Sequence, residues 1–207
     1  MGAVTVATAQ SQTAGELASD KAARIVEAMR SSVAARGIAG STFDHVAREA
    51  GVSRGALHYY FGTKERLLVE VVRRECEVRE RRVEDALAAA RSAPEVLDAL
   101  VRSLQEILGE GPTAPVMFFE MLTLAQRHPE IAAELEQLGR RTREAFAAAL
   151  AAKSEAGVLS LRGAPDAVAA FLFALADGII VRRLSEPSLD IDELMSQGAA
   201  AAAALLS

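Results

Sequence analysis

The chain has 207 residues, 51% of them hydrophobic, enough to bury a sizeable core in one or two domains. Its formal charge of −5 argues at first against a polyanionic partner, but residues 1–82 hold 13 Lys/Arg against 10 Asp/Glu while residues 83–207 hold 10 against 18. Cys76 is the one cysteine, which excludes an intrachain disulfide, and no uninterrupted apolar run reaches the roughly 18 residues of a membrane span, so a cytoplasmic protein is expected.

Ala is abundant, above all after residue 86, and no stretch alternates in polarity over the length of a strand, so the elements are expected to be helices. Residues 1–14 lack the basic start and long apolar core of a signal peptide and read as a disordered tail. The first helix is expected to open at Ser19 or Asp20, to carry Ala22, Ile25, Val26, Met29 and Val33 at helical spacing, and to stop at Gly37. A short second helix starts at Ser41 or Thr42, with Asp44 placed close to a capping box, and carries Phe43, Val46, Ala47 and Ala50 to a stop at Gly51. Ser53 caps a third helix over residues 54–60, Gly62 closes it, and Thr63 opens a long fourth helix toward Ala89. Cys76 falls on that helix and reads as a small apolar residue rather than a redox sensor.

Pro94 sits in the first turn of a fifth helix ending near Gly109, and residues 111–115 break the chain before a sixth. Pro129 starts a seventh helix that Gly157 stops, and Pro165 starts an eighth ending near Leu184. Pro187 and Ser188 break the chain again, and a ninth helix runs from about Ile191 to the terminus. The domains expected are the tail at 1–14, a helical head at 15–62 and a larger helical domain at 63–207.

Residues 41–66 carry the chemistry. Two short helices joined by a tight glycine turn form a helix-turn-helix, in which the first helix crosses the DNA backbone and the second enters the major groove. Phe43, Val46, Ala47, Val52 and Leu57 would lock the pair together. The second helix then exposes Ser53, Arg54, Gly55, Ala56, His58, Tyr59 and Tyr60. Gly55 and Ala56 are small enough to let base edges approach, Arg54 can reach guanine or phosphate, and the hydroxyl and imidazole groups suit phosphate or bases. Lys64, next to Thr63 at the start of a helix, favours a phosphate.

The stretch TFDHVAREAGVSRGALHYYFGTKERLL resembles the signature of TetR-family regulators: Thr42, then Ala50 to Ser53 at the turn, the small pair Gly55 and Ala56, Leu57, Tyr59 to Phe61, Lys64, Glu65 and Leu67. The detailed match covers roughly residues 20–75. That family most often has Tyr directly after the Leu, where this chain has His58. The resemblance implies an all-α fold of about nine helices, a three-helix DNA-binding head and a C-terminal domain that dimerises and takes a small effector. It implies double-stranded DNA with a near-palindromic operator as partner, and a repressor released by a small, largely apolar ligand. An activator, or a protein of the same fold with no effector, is the alternative. Carried over, the dimer face comprises Val168, Phe171, Leu172, Leu175 and Ile179 on the eighth helix and Leu194, Gly198, Ala201, Ala202 and Leu205 on the ninth. Met117, Phe118, Met121, Leu122, Phe146 and Phe173 are the implied effector wall, with Thr123, Gln126, Arg143 and Asp177 as polar contacts. The fourth helix joins both domains, so its tilt is the implied switch.

An enzyme is not expected. His45, His58 and His128 are scattered, there is no Cys or His pair at metal-ligand spacing, and no phosphate-binding glycine loop or nucleophile elbow is present. No cofactor and no metal are expected.

Overall fold

The computed structural model describes the backbone of residues 3–207 and the side chains of residues 19–207; residues 3–14, expected as a disordered tail, are helical, and the first helix opens at Ala3 rather than at Ser19 or Asp20. Every element among the described residues is a helix, and the chain divides into two compact units, residues 1–72 and 73–207.

In the first unit α1 spans Ala3–Gly40 and is broken at Gly37, where φ is 71° and ψ 169°. Only glycine adopts that conformation without strain, which explains the expected stop there. Ser41 and Thr42 are equal candidates by residue type to cap the next helix. The hydroxyl of Ser41 is buried and donates to Gly37 O at 2.8 Å, which stitches the break in α1. Thr42 is left to cap α2 (Phe43–Ala50), its Oγ1 accepting from the His45 N–H at 3.3 Å. Gly51 takes the left-handed conformation (φ 65°, ψ 38°), and Val52 N–H returns to Ala47 O at 3.0 Å. Ser53 caps α3 (Arg54–Phe61) by accepting from Ala56 N–H at 3.3 Å. Thr63 does the same for α4 (Lys64–Ala89), accepting from Arg66 N–H at 3.3 Å. Ile25, Met29, Val46, Leu57, Leu67, Leu68 and Val71 fill the interior of this unit.

In the second unit the rest of α4 is followed by α5 (Ala93–Gly109), α6 (Thr113–Ala125), α7 (Pro129–Glu155), α8 (Pro165–Ser185) and α9 (Ile191–Leu206). Prolines stand in the first turns of α5, α7 and α8, where a missing N–H costs nothing. Asp190 caps α9 by accepting from Asp192 and Glu193 N–H, both at 3.1 Å. α7 packs along α8, α6 along α7, and α9 against both α5 and α8. The core gathers Leu87, Val96, Phe146, Leu150, Val168, Leu172, Ala202 and Leu206. Lys153 Nζ donates to Ala88 O at 3.0 Å, in the last turn of α4, and to Ala90 O at 2.7 Å, just past its end.

The apolar stripes of α8 and α9 differ from expectation. Val168, Leu172, Ile179, Gly198 and Ala202 are buried within the unit itself, and Leu175, Leu194 and Leu205 are half-buried. A Cβ on Gly198 would stand 2.9 Å from Ile179 Cδ1, so this glycine serves the close approach of α9 to α8 inside the chain. Phe171 (53% exposed) and Ala201 are the expected face residues that remain on the surface. Among the described residues no helix is long and apolar enough to cross a membrane.

Candidate nucleic-acid interface

α3 has one buried residue, Leu57, and that single anchor orients the helix. At about 100° per residue, Gly55 and Tyr59 lie on the side opposite Leu57 and point straight out. Tyr59 is 83% exposed, the most exposed of the large apolar or aromatic side chains described. Gly55 has only Ser53 Oγ near the place of a Cβ, at 3.8 Å, so the surface there is flat. Arg54 and His58 flank this centre on the side of α2. Ala56 and Tyr60, both half-buried, flank it on the other. Tyr60 meets Tyr59 edge-on at 5.2 Å and Phe61 at 6.3 Å, which restricts both tyrosine rings.

The α2 flank is built of specific contacts. The Arg54 guanidinium pairs with the Asp44 carboxylate at 3.4 Å, with both side chains largely exposed. An exposed pair of this kind is worth at most about 1 kcal/mol, so a phosphate or a guanine can draw Arg54 away from it. The His58 ring stands edge-on to Phe43 at 4.9 Å, and its Nδ1 lies 3.0 Å from Gly62 O. The Arg54–Asp44 and His58–Phe43 contacts are not legible in the sequence, because each joins residues on different elements.

Lys64 is placed otherwise than its residue type suggests. It is half-buried, and its ammonium donates to Ile38 O, just past the break in α1. It holds the end of α1 against the start of α4. Thr42, Ser53 and Thr63 are exposed, but each hydroxyl oxygen accepts a helix N–H, and each O–H keeps a donor to offer. Arg66, absent from the residues expected to meet DNA, is exposed in the first turn of α4. Thus Thr42, Ser53, Arg54, Gly55, His58 and Tyr59 are exposed on α2, α3 and their caps, while Ala56, Tyr60 and Lys64 are partly withdrawn.

The residues expected to line an effector site in the second unit differ in burial. Met117 and Met121 are buried on α6, and Phe146 is buried on α7, its ring 5.2 Å from that of Phe173. Phe118 is half-buried and meets Phe119 edge-on at 5.9 Å. Leu122, Thr123 and Gln126 are exposed, with the Thr123 hydroxyl donating to Phe119 O at 3.1 Å. Arg143 is paired with Asp166. Asp177 is exposed, and partial burial of its carboxyl pushes its pKa up.

Burial also pushes the Cys76 thiol up to about 11, with neighbouring Glu80, Glu75 and Glu77 acting in the same direction and Arg79 against it. The thiolate is the reactive form, so iodoacetamide at neutral pH should alkylate Cys76 about a hundredfold more slowly than a free thiol. Mass spectrometry of timed samples reads this directly. Labelling as fast as that of the unfolded chain would show that the thiol is not held protonated.

Residues 25–71 match the family described as bacterial regulatory proteins, tetR family, and residues 91–207 match the tetracyclin repressor-like C-terminal domain. The HTH-type transcriptional regulator BetI of Rhizobium meliloti is 29% identical over 164 residues, 77% of this chain and 75% of that protein. A transcriptional regulator of Saccharomonospora viridis, solved in complex with choline, superposes with a TM-score of 0.69 at 24% identity, covering 87% of this chain and 94% of that one. FadR of Bacillus subtilis, solved in complex with stearoyl-CoA, superposes with a TM-score of 0.69 at 17% identity, covering 89% and 98%.

Proposed function

The chain belongs to the TetR family of DNA-binding transcriptional regulators, which are not enzymes, and from that premise we propose that it is a homodimeric repressor released from its operator by a small ligand. The observation that carries the reading is the exposed surface of α3, with Gly55 and Tyr59 at its centre and Arg54 and His58 on its α2 flank. In this reading α3 enters the major groove and the base-facing residues are Arg54, Gly55 and Tyr59. The hydroxyls of Thr42 and Ser53 at the two helix starts hold the DNA backbone.

The dimer is supported by what α8 and α9 leave exposed. Phe171, Ala174, Gly178 and Val181 follow one another at helical spacing on the surface of α8, and Ala200, Ala201 and Ala204 do so on α9. Small residues let helices approach closely, and covering Phe171 and Val181 removes apolar area from water. A two-fold pair would present two reading heads to half-sites about one helical turn apart, roughly 34–36 Å.

For the effector, the buried Met117 and Met121 and the paired rings of Phe146 and Phe173 are the apolar wall. Adaptable thioethers and aromatic rings suit a largely apolar molecule. The complexes of similar folds with choline and with stearoyl-CoA support a small-molecule effector without fixing its chemistry. The switch would act through α4, the helix in which the boundary between the two units falls.

The test is a selection of duplexes from a random pool by the purified protein, followed by competition at moderate salt. A near-palindrome should be recovered, and Tyr59→Ala should weaken binding to it without lowering the melting temperature. Failure of every recovered duplex to outcompete random DNA would sink the regulator reading. A thermal-shift screen then seeks the effector, since a ligand present at 100 times its Kd raises stability by about 2.7 kcal/mol. A stabilising compound that leaves operator binding unchanged would count against release by ligand.

A further inference from the structure

The contacts of His58 on α3 constrain what its ring can offer. A carbonyl oxygen can only accept, so the 3.0 Å contact between Nδ1 and Gly62 O requires the ring proton to sit on Nδ1. In the neutral ring the other nitrogen, Nε2, is therefore an acceptor with no proton. The edge contact to Phe43 at 4.9 Å fixes the ring plane from the α2 side. His58 is exposed, and Nε2 makes no hydrogen bond within the chain among the described residues. By its place on α3 it lies at the edge of the reading surface beside the first residue of α2, not at the centre with Gly55 and Tyr59.

A neutral acceptor at that edge repels the lone pairs of a phosphate oxygen. Protonation at Nε2 converts it to a charged donor while leaving the Nδ1–H bond to Gly62 O in place. From this we infer that His58 is a phosphate contact that operates only as imidazolium, so that DNA binding takes up a proton at this residue. The inference rests on the DNA-binding reading above. The charged and titratable groups of α2 and the start of α4 are Asp44, His45, Arg48, Glu49, Lys64, Glu65 and Arg66, of which Arg48 and Arg66 are exposed and Glu49 pairs with Arg36 at 3.9 Å. Asp44 is paired with Arg54 at 3.4 Å in the free chain, and when Arg54 turns to DNA the Asp44 carboxylate is released on the same flank, a negative charge that favours imidazolium. His45 has its Nδ1 3.1 Å from Gly40 O, and the Lys64 ammonium is on Ile38 O. Glu65 is half-buried at the start of α4. An approaching phosphate supplies the negative charge that favours the imidazolium.

The experiment measures affinity for a duplex recovered by selection, using the full chain, from about pH 6 to about pH 8 at several salt concentrations. The wild type should lose about tenfold or more in affinity over that range. At the acid end its salt dependence should be steeper by about 0.9 in log K against log salt, the signature of one more phosphate neutralised. His58→Phe keeps a ring against Phe43 and His58→Gln keeps a polar side chain that does not titrate. Both should bind with a flat pH profile, and His58→Gln carries the test if the Phe variant fails to fold. The inference is overturned if wild-type affinity is flat or rises with pH, the latter pointing to Nε2 accepting from a base amino group. It is also overturned if either variant keeps the wild-type pH profile, or if the salt slope does not change. A wild type that prefers no duplex at any pH would instead overturn the DNA-binding reading, and this inference with it.

Discussion

Leu57→Ala is expected to cost the first unit about 2–5 kcal/mol and to abolish specific DNA binding. Leu57 is fully buried and is the one buried residue of α3, an eight-residue helix. A helix that short has no stability of its own in water, so its order depends on that anchor. Truncating the side chain removes about three methylene-sized groups and leaves a hole among the buried residues of the unit. Domains as small as this one have little stability to lose. The chain offers a selective probe for the outcome: it has no Trp, and its two tyrosines, Tyr59 and Tyr60, both lie on α3. Tyrosine emission therefore reports the recognition helix alone, while far-ultraviolet circular dichroism reports all the helices. In Leu57→Ala the emission transition should move to lower temperature, and binding should vanish at temperatures where most helix signal remains. Leu57→Met, which conserves volume, should cost less than about 1.5 kcal/mol and keep binding. An Ala variant that melts and binds like the wild type would show that Leu57 is not what orients α3.

Phe171→Glu is the second large effect. Phe171 is 53% exposed on α8 and does not belong to the unit's own core, so the substitution should leave the monomer folded. In a dimer closed on the α8 and α9 surface, two-fold symmetry places the new carboxylate in or near the same face on both copies, where it must be desolvated and repels its twin. Sedimentation at micromolar concentration should show a monomer. Affinity for a palindromic duplex should fall by on the order of 10²-fold or more, because the second head no longer binds at a high effective concentration. Affinity for a single half-site should change little. A variant that stays dimeric would place the interface elsewhere on the chain.

The fold is legible in the sequence to the extent that local chemistry decides it. Gly37, Gly51, Gly62 and Gly157 all take positive φ, and each stands where a helix is expected to stop. Ser53 and the helix-starting prolines act within one turn of themselves, so their neighbours in sequence suffice to read them. The lock of the helix-turn-helix is readable for the same reason. Phe43, Val46, Ala47 and Ala50 recur with the helical period on α2 and are buried, as is Leu57 on α3, while Val52 of the expected lock is half-buried in the turn.

Where choices depend on residues far apart in sequence, the period is silent. Ser41 and Thr42 are equally good caps, and a carbonyl exposed by the break in α1 settles which one serves. Lys64 has a phosphate-binding residue type and spacing, yet its ammonium is taken by Ile38 O from another helix. The clearest case is α8, where residues 167–176 are apolar without interruption, so no stripe stands out and either face could be read as the buried one. Packing against α7 and α9 turned Val168, Leu172 and Ile179 inward and left Phe171 outside.

Residues 41–66 therefore determined by themselves that a helix-turn-helix would form, because caps, glycines and a one-sided apolar pattern each act over a few residues. Only the tertiary structure decided which side chains that motif leaves free. Lys64 and Arg54 find partners on other helices, and the His58 ring packs on Phe43 of α2 while Gly62 O, at the cap of its own helix, takes Nδ1 and leaves one ring nitrogen to present.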